Sequence, residues 1–111
     1  MAQLLSAGGC LLTAALLLGT AASAQDLDPA AQRGMTFVRT NCARCHAIDK
    51  LSPSPLSAAP PFRTLHKKYP LENLEEAMAE GIVTGHPAMP EYRLDPGQIF
   101  DVLSYFRTLE R

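Results

Sequence analysis

The sequence predicts an all-α fold of three main helices joined by long irregular connections, and three observations carry that prediction. Two Asp-Pro pairs, Asp28-Pro29 and Asp95-Pro96, each place a side-chain acceptor at an N-cap ahead of a proline at the first helical position, where its missing N–H costs nothing. The residues after Asp95-Pro96 form an apolar stripe at helical spacing, namely Ile99, Val102, Leu103, Phe106 and Leu109. No convincing strand-like run occurs anywhere in the chain.

The first helix is expected from about Pro29 towards Asn41, with Phe37 and Val38 apolar and Gly34 leaving a small gap on its surface. A second spans about Leu71 to Glu80, where Leu71, Leu74, Met78 and Ile82 share helical spacing, and it ends near Gly81. The third runs from about Pro96 to Leu109. Residues Phe62 to Lys68 add at most a short helix. The stretch from Leu51 to Pro61, LSPSPLSAAPP, is too rich in Pro and Ser for regular structure and is expected as a loop.

The chain has 111 residues and no internal repeat, which is one domain's worth. Met1 to Gln25 hold no charged side chain, and the Leu/Ala-rich stretch Leu11 to Ala22 leads into Ala22-Ser23-Ala24. That is an apolar region followed by a small-x-small cleavage site, so residues 1–24 are expected as a secretory signal and 25–111 as the domain. The n-region lacks Lys and Arg. The alternative is an uncleaved anchor, but the apolar centre is short and diluted by Gly, Ala, Ser and Thr. Cys10 precedes the apolar stretch and is removed with it. No stable membrane insertion is expected after cleavage, and the expected location is the periplasm. A domain this short benefits from a stabilising group beyond its own apolar core.

Two cysteines remain, in Cys42-Ala-Arg-Cys45-His46. A zinc site needs further paired N/S ligands, whereas His66 and His86 stand alone. A thioredoxin-like pair needs a βαβ context, which the flanks do not offer. Cys-x-x-Cys followed by His is the pattern of c-type haem attachment, and it needs nothing the chain lacks. The physical reason is local: two sulfurs on one turn of chain form thioethers to the haem vinyl groups, and the next side chain brings its imidazole to the iron from the same side.

The second axial position decides between electron transfer and ligand chemistry. Met35 and Met78 sit on helical faces and read as core. Met89 stands in Gly85-His86-Pro87-Ala-Met89-Pro90-Glu91, a segment stiffened by proline on both sides, and no amphipathic face accounts for it. Met89 is therefore the candidate ligand. His86, three positions earlier, is its rival, and His66 stands beside Lys67 and Lys68 in what reads as a solvated surface.

These residues make the chain resemble the class I cytochromes c, mitochondrial-type or bacterial, over essentially all of residues 25–111. The marks are Gly34-x-x-Phe37, Cys42-Ala-Arg-Cys45-His46, Ala59-Pro60-Pro61-Phe62, Met89-Pro90-Glu91 and Asp101-Val-Leu-Ser-Tyr105-Phe106. The resemblance implies three main helices and loops wrapped around one covalently bound haem c, with His46 and Met89 as iron ligands. It implies that the first and last helices cross at Gly34 with Tyr105 alongside. It also implies that a proline carbonyl, at Pro60 or alternatively Pro61, accepts the other N–H of His46. Arg63, Tyr69 and Tyr92 are candidates to bind the haem propionates.

The function expected is one-electron shuttling, Fe(III) to Fe(II) and back, rather than enzymatic turnover. Its partners are redox proteins: a dehydrogenase, oxidase or reductase. A cytochrome subunit of an exported dehydrogenase would use the same residues. A catalytic or gas-sensing haem would need acid–base groups on the distal side, where only His86 and Glu91 are at hand. The formal net charge is −1, divided as seven Lys/Arg against three Asp/Glu up to Lys68 and three against eight beyond it. Arg44, Arg63, Lys67 and Lys68 make a candidate basic rim, and Glu72, Glu75, Glu76 and Glu80 an acidic helix face. With no net basic charge and no compatible motif, nucleic acid is not an expected partner.

Overall fold

The structure, a computed structural model, describes residues 26–83 and 87–111. The expected signal segment with Cys10, and the rival ligand His86, lie outside the described residues. Four helical elements follow in chain order: α1 (Pro29–Asn41), a 3-10 helix (Phe62–Lys67), α2 (Leu71–Glu80) and α3 (Pro96–Leu109). No strand occurs among the described residues, so the all-α expectation holds.

Both Asp-Pro starts work as their chemistry dictates. The Asp28 carboxylate accepts from the Ala31 amide at 2.9 Å. The Asp95 carboxylate accepts from the Gln98 amide at 2.9 Å, while the Gln98 side chain accepts from the Asp95 amide at 3.0 Å. That reciprocal pair is a capping box, which satisfies two otherwise unpaired donors at the start of α3. α2 has no side-chain cap and stops at Gly81, whose φ of 111° lies in the region that favours glycine.

The core is mainly the contact of α1 with α3. Ala31 and Val38 on one helix meet Ile99, Val102, Leu103, Tyr105, Phe106 and Leu109 on the other, all buried. Met78 is buried and Met35 packs partly buried against the same cluster, as expected for core methionines.

Gly34 permits the crossing. A Cβ placed there would collide with the Asp101 carbonyl oxygen and lie 3.0 Å from the Tyr105 Cβ, so the two backbones touch. Beside the crossing, Arg33 clamps Asp101 with two bonds, Nε to Oδ2 at 2.8 Å and Nη2 to Oδ1 at 2.7 Å. This paired fork fixes direction as well as distance, and it holds the Asp101 carboxyl below the usual carboxylate range.

Candidate functional site

The Cys-x-x-Cys-His segment is a continuation of α1 into a turn. The Cys42 and Ala43 amides both reach the Val38 carbonyl, at 2.8 and 3.1 Å. The Cys45 and His46 amides then fold back on the Cys42 carbonyl, at 3.1 and 2.9 Å. One tight turn thus carries both sulfurs and the imidazole. Both thiols are free and partly buried. Burial pushes the Cys42 thiol up to about 11, opposite in direction to the depressed thiols of Cys-x-x-Cys redox pairs.

The downstream loop grips this turn through its backbone. The Leu56 amide donates to the Cys45 carbonyl at 3.1 Å, and the Ala47 amide donates to the Ser54 hydroxyl at 3.0 Å. The Phe62 amide donates to the Ala47 carbonyl at 3.0 Å. His46 Nδ1 lies 2.8 Å from the Pro60 carbonyl oxygen. A carbonyl only accepts, so Nδ1 carries the proton and the Nε2 lone pair is left available. The Pro61 carbonyl is used elsewhere, accepting from the Thr64 amide at 3.0 Å and the Thr64 hydroxyl at 2.8 Å.

Met89 rides on a loop closed at its neck by main-chain bonds. The Ile82 amide donates to the Tyr92 carbonyl at 3.0 Å and the Leu94 amide to the Met78 carbonyl at 2.9 Å. Arg93 adds two bonds to the Glu80 carbonyl, at 3.2 and 3.0 Å. The Tyr92 hydroxyl donates to the Asn41 carbonyl at 3.1 Å, tying the loop to the end of α1 next to Cys42.

These parts meet in one cleft of about 590 Å³, within the roughly 300–1,000 Å³ of cofactor sites. Cys42, Cys45, His46, Pro60 and Met89 all line it, among an apolar wall that includes Phe37, Val38, Leu65, Leu74, Met78, Ile82 and Phe106. A slot of that size and polarity, with two free thiols and an imidazole on one turn, fits a thioether-linked haem.

Of the propionate candidates, Arg63 does not line the cleft and donates to the Ser52 carbonyl at 2.8 Å, while Tyr92 lines it with its hydroxyl already bonded to the Asn41 carbonyl. Tyr69 lines the cleft, half exposed, and so does Asn73 in the first turn of α2, a polar side chain that sequence reasoning passed over and that no spacing signal marks. His66 departs from its reading as solvated surface: the Lys67 and Lys68 side chains are exposed, but His66 is only partly so, and its Nδ1 is buried with no hydrogen-bond partner among the described residues.

Comparison with known proteins gives one result. The family model described as Cytochrome c matches residues 31–110. No curated protein and no solved structure matches the chain. The matched range runs from the first turn of α1 to the residue after α3 and includes every part of the cleft, and so the chain belongs to the cytochrome c family, whose members bind haem c covalently and transfer electrons through it.

Proposed function

We propose that this chain is a soluble periplasmic electron carrier whose haem iron would be held by His46 and Met89. The observation that carries the reading is the His46–Pro60 contact of 2.8 Å, which leaves Nε2 as the ligating nitrogen on the wall of a cleft that Met89 also lines. Bound haem c supplies a one-electron Fe(III)/Fe(II) couple, with thioether ligation favouring the reduced state relative to a second imidazole.

The protein's own part is to hold still. The turn at residues 42–46 fixes two anchors and one ligand as a unit, and the Pro60 carbonyl sets the imidazole tautomer and strengthens it as a donor. The neck closed by the Ile82–Tyr92 and Leu94–Met78 main-chain bonds would restrain Met89, so that little rearrangement would oppose transfer. Apolar walls exclude water and stabilise the less charged site. Tyr69 and Asn73, which line the cleft, would receive the propionates, since the other polar lining side chains Asn41 and Tyr92 are already bonded to backbone carbonyls. Export is supported by the uncharged leader ending in Ala22-Ser23-Ala24.

Two measurements test this reading. Carbon monoxide added to the reduced holoprotein should bind slowly or not at all if Met89 closes the site; rapid binding would point to an open, sensing or catalytic haem. Cell fractionation with amino-terminal sequencing should find the mature chain in the periplasm beginning at Gln25, and an intact leader retained in the membrane fraction would contradict the soluble carrier.

A further inference from the structure

The imidazole of His46 has a second neighbour that ligand chemistry alone does not call for. The Phe62 ring lies with its centroid 4.7 Å from that of His46, the planes tilted by 31°. Phe62 also meets the Phe106 ring at 4.8 Å and 53°. Phe62 and Phe106 are both buried, and both line the cleft. The result is a column of three rings running from α3 to the imidazole, with separations in the range of favourable aromatic contacts.

The hydrogen bond from Nδ1 to the Pro60 carbonyl fixes one direction in the imidazole ring. It leaves the ring free to rock about that N–H···O axis, because an acceptor oxygen tolerates donors over a broad range of angles. A ring packed against the face removes the remaining freedom. Phe62 is itself held twice, by its amide on the Ala47 carbonyl, one residue from His46, and by its contact with Phe106.

We infer that Phe62, braced by Phe106, is the positioning residue that sets the plane of the His46 imidazole, and through that plane the magnetic and electronic asymmetry of the iron site. This rests on the reading of His46 as an iron ligand. The plane matters because imidazole π overlap with the iron d orbitals depends on rotation about the iron–nitrogen bond.

The test compares oxidised holoprotein carrying Phe62→Leu, which keeps apolar volume and removes the ring, with Phe62→Tyr, which keeps the ring. The readouts are the pattern of hyperfine-shifted haem-methyl proton resonances and the electron paramagnetic resonance anisotropy. Phe62→Leu should change the order or spread of the methyl shifts while the low-spin optical spectrum is kept; Phe62→Tyr should preserve the parent pattern. An unchanged pattern in Phe62→Leu, with stability alone reduced, overturns the inference. If Phe62→Leu yields no folded holoprotein, Phe106→Leu leaves Phe62 in place and withdraws its brace; a shifted pattern there supports the column, and an unchanged one overturns it. Failure of the ligand reading looks different: in that case His46→Ala leaves the parent's low-spin spectrum intact.

Discussion

The Tyr105 hydroxyl donates to the Ile48 carbonyl at 2.6 Å, joining α3 to the backbone two residues beyond His46. The ring is buried against the helix crossing, and burial raises the phenol above its ordinary value, so this bond is available across the whole neutral range. Tyr105→Phe removes the donor and leaves the carbonyl unpaired. The expected loss is about 1 kcal/mol, seen as a fall in melting temperature of the holoprotein of roughly 4–8 °C for a domain of this size, with the optical spectrum unchanged.

At the crossing itself the margin is smaller. Gly34→Ala drives a methyl group into the Asp101 carbonyl, and backbone has no rotamer with which to yield. Overpacking of this kind costs roughly 1–3 kcal/mol, and urea titration of the holoprotein should show a lower midpoint. Arg33→Ala, at the edge of the same crossing, should move the midpoint less, because the Arg33 end of the pair is solvent-exposed and its loss creates no backbone clash.

The helices were legible because their signals are local. An Asp cap with a following proline, or a terminal glycine, acts within one turn, so α1 and α3 begin where Asp28-Pro29 and Asp95-Pro96 stand and α2 ends at Gly81. The capping-box partner Gln98 was equally local and readable as Asp-x-x-Gln. The cofactor motif was legible for the same reason, as one turn of chain. The contacts that organise the site were not: Tyr105 to Ile48, Tyr92 to Asn41 and Arg33 to Asp101 are each separated by more than fifty residues, and no period or spacing announces them. Gly34 at a helix crossing came from family resemblance rather than composition. Between Pro60 and Pro61 the choice depended on which carbonyl faces the imidazole, a matter of backbone direction that residue type does not encode.

Asp49 gives a pH prediction. The Ser52 hydroxyl foremost, then the Ser52 and Leu51 amides, with Arg63 nearby, draw its carboxyl from the ordinary 3.8 to about 2. A folded-state value below the unfolded one means that this loop's stabilisation is complete above the unfolded value and is lost as the pH falls through about 2. The Asp49 carboxyl carbon, followed by NMR, should titrate near pH 2 in the folded holoprotein; a midpoint near 4 would show that the loop does not hold it.

Gly81 guards the neck of the Met89 loop. With φ at 111° and the Glu91 carboxylate over its α-carbon, Gly81→Ala meets backbone strain of roughly 1–3 kcal/mol. The amides of Ile82 and Leu94, which close the neck, should exchange with solvent faster in that variant, while the Ala31 amide at the far end of α1 should not.

The proposal that Met89 would hold the haem iron together with His46 is tested most directly by the absorption spectrum of the oxidised holoprotein before and after Met89→Ala. The parent should show a sulfur-to-iron charge-transfer band that disappears in the variant. A parent without the band, or a variant that keeps it, would contradict the ligand assignment.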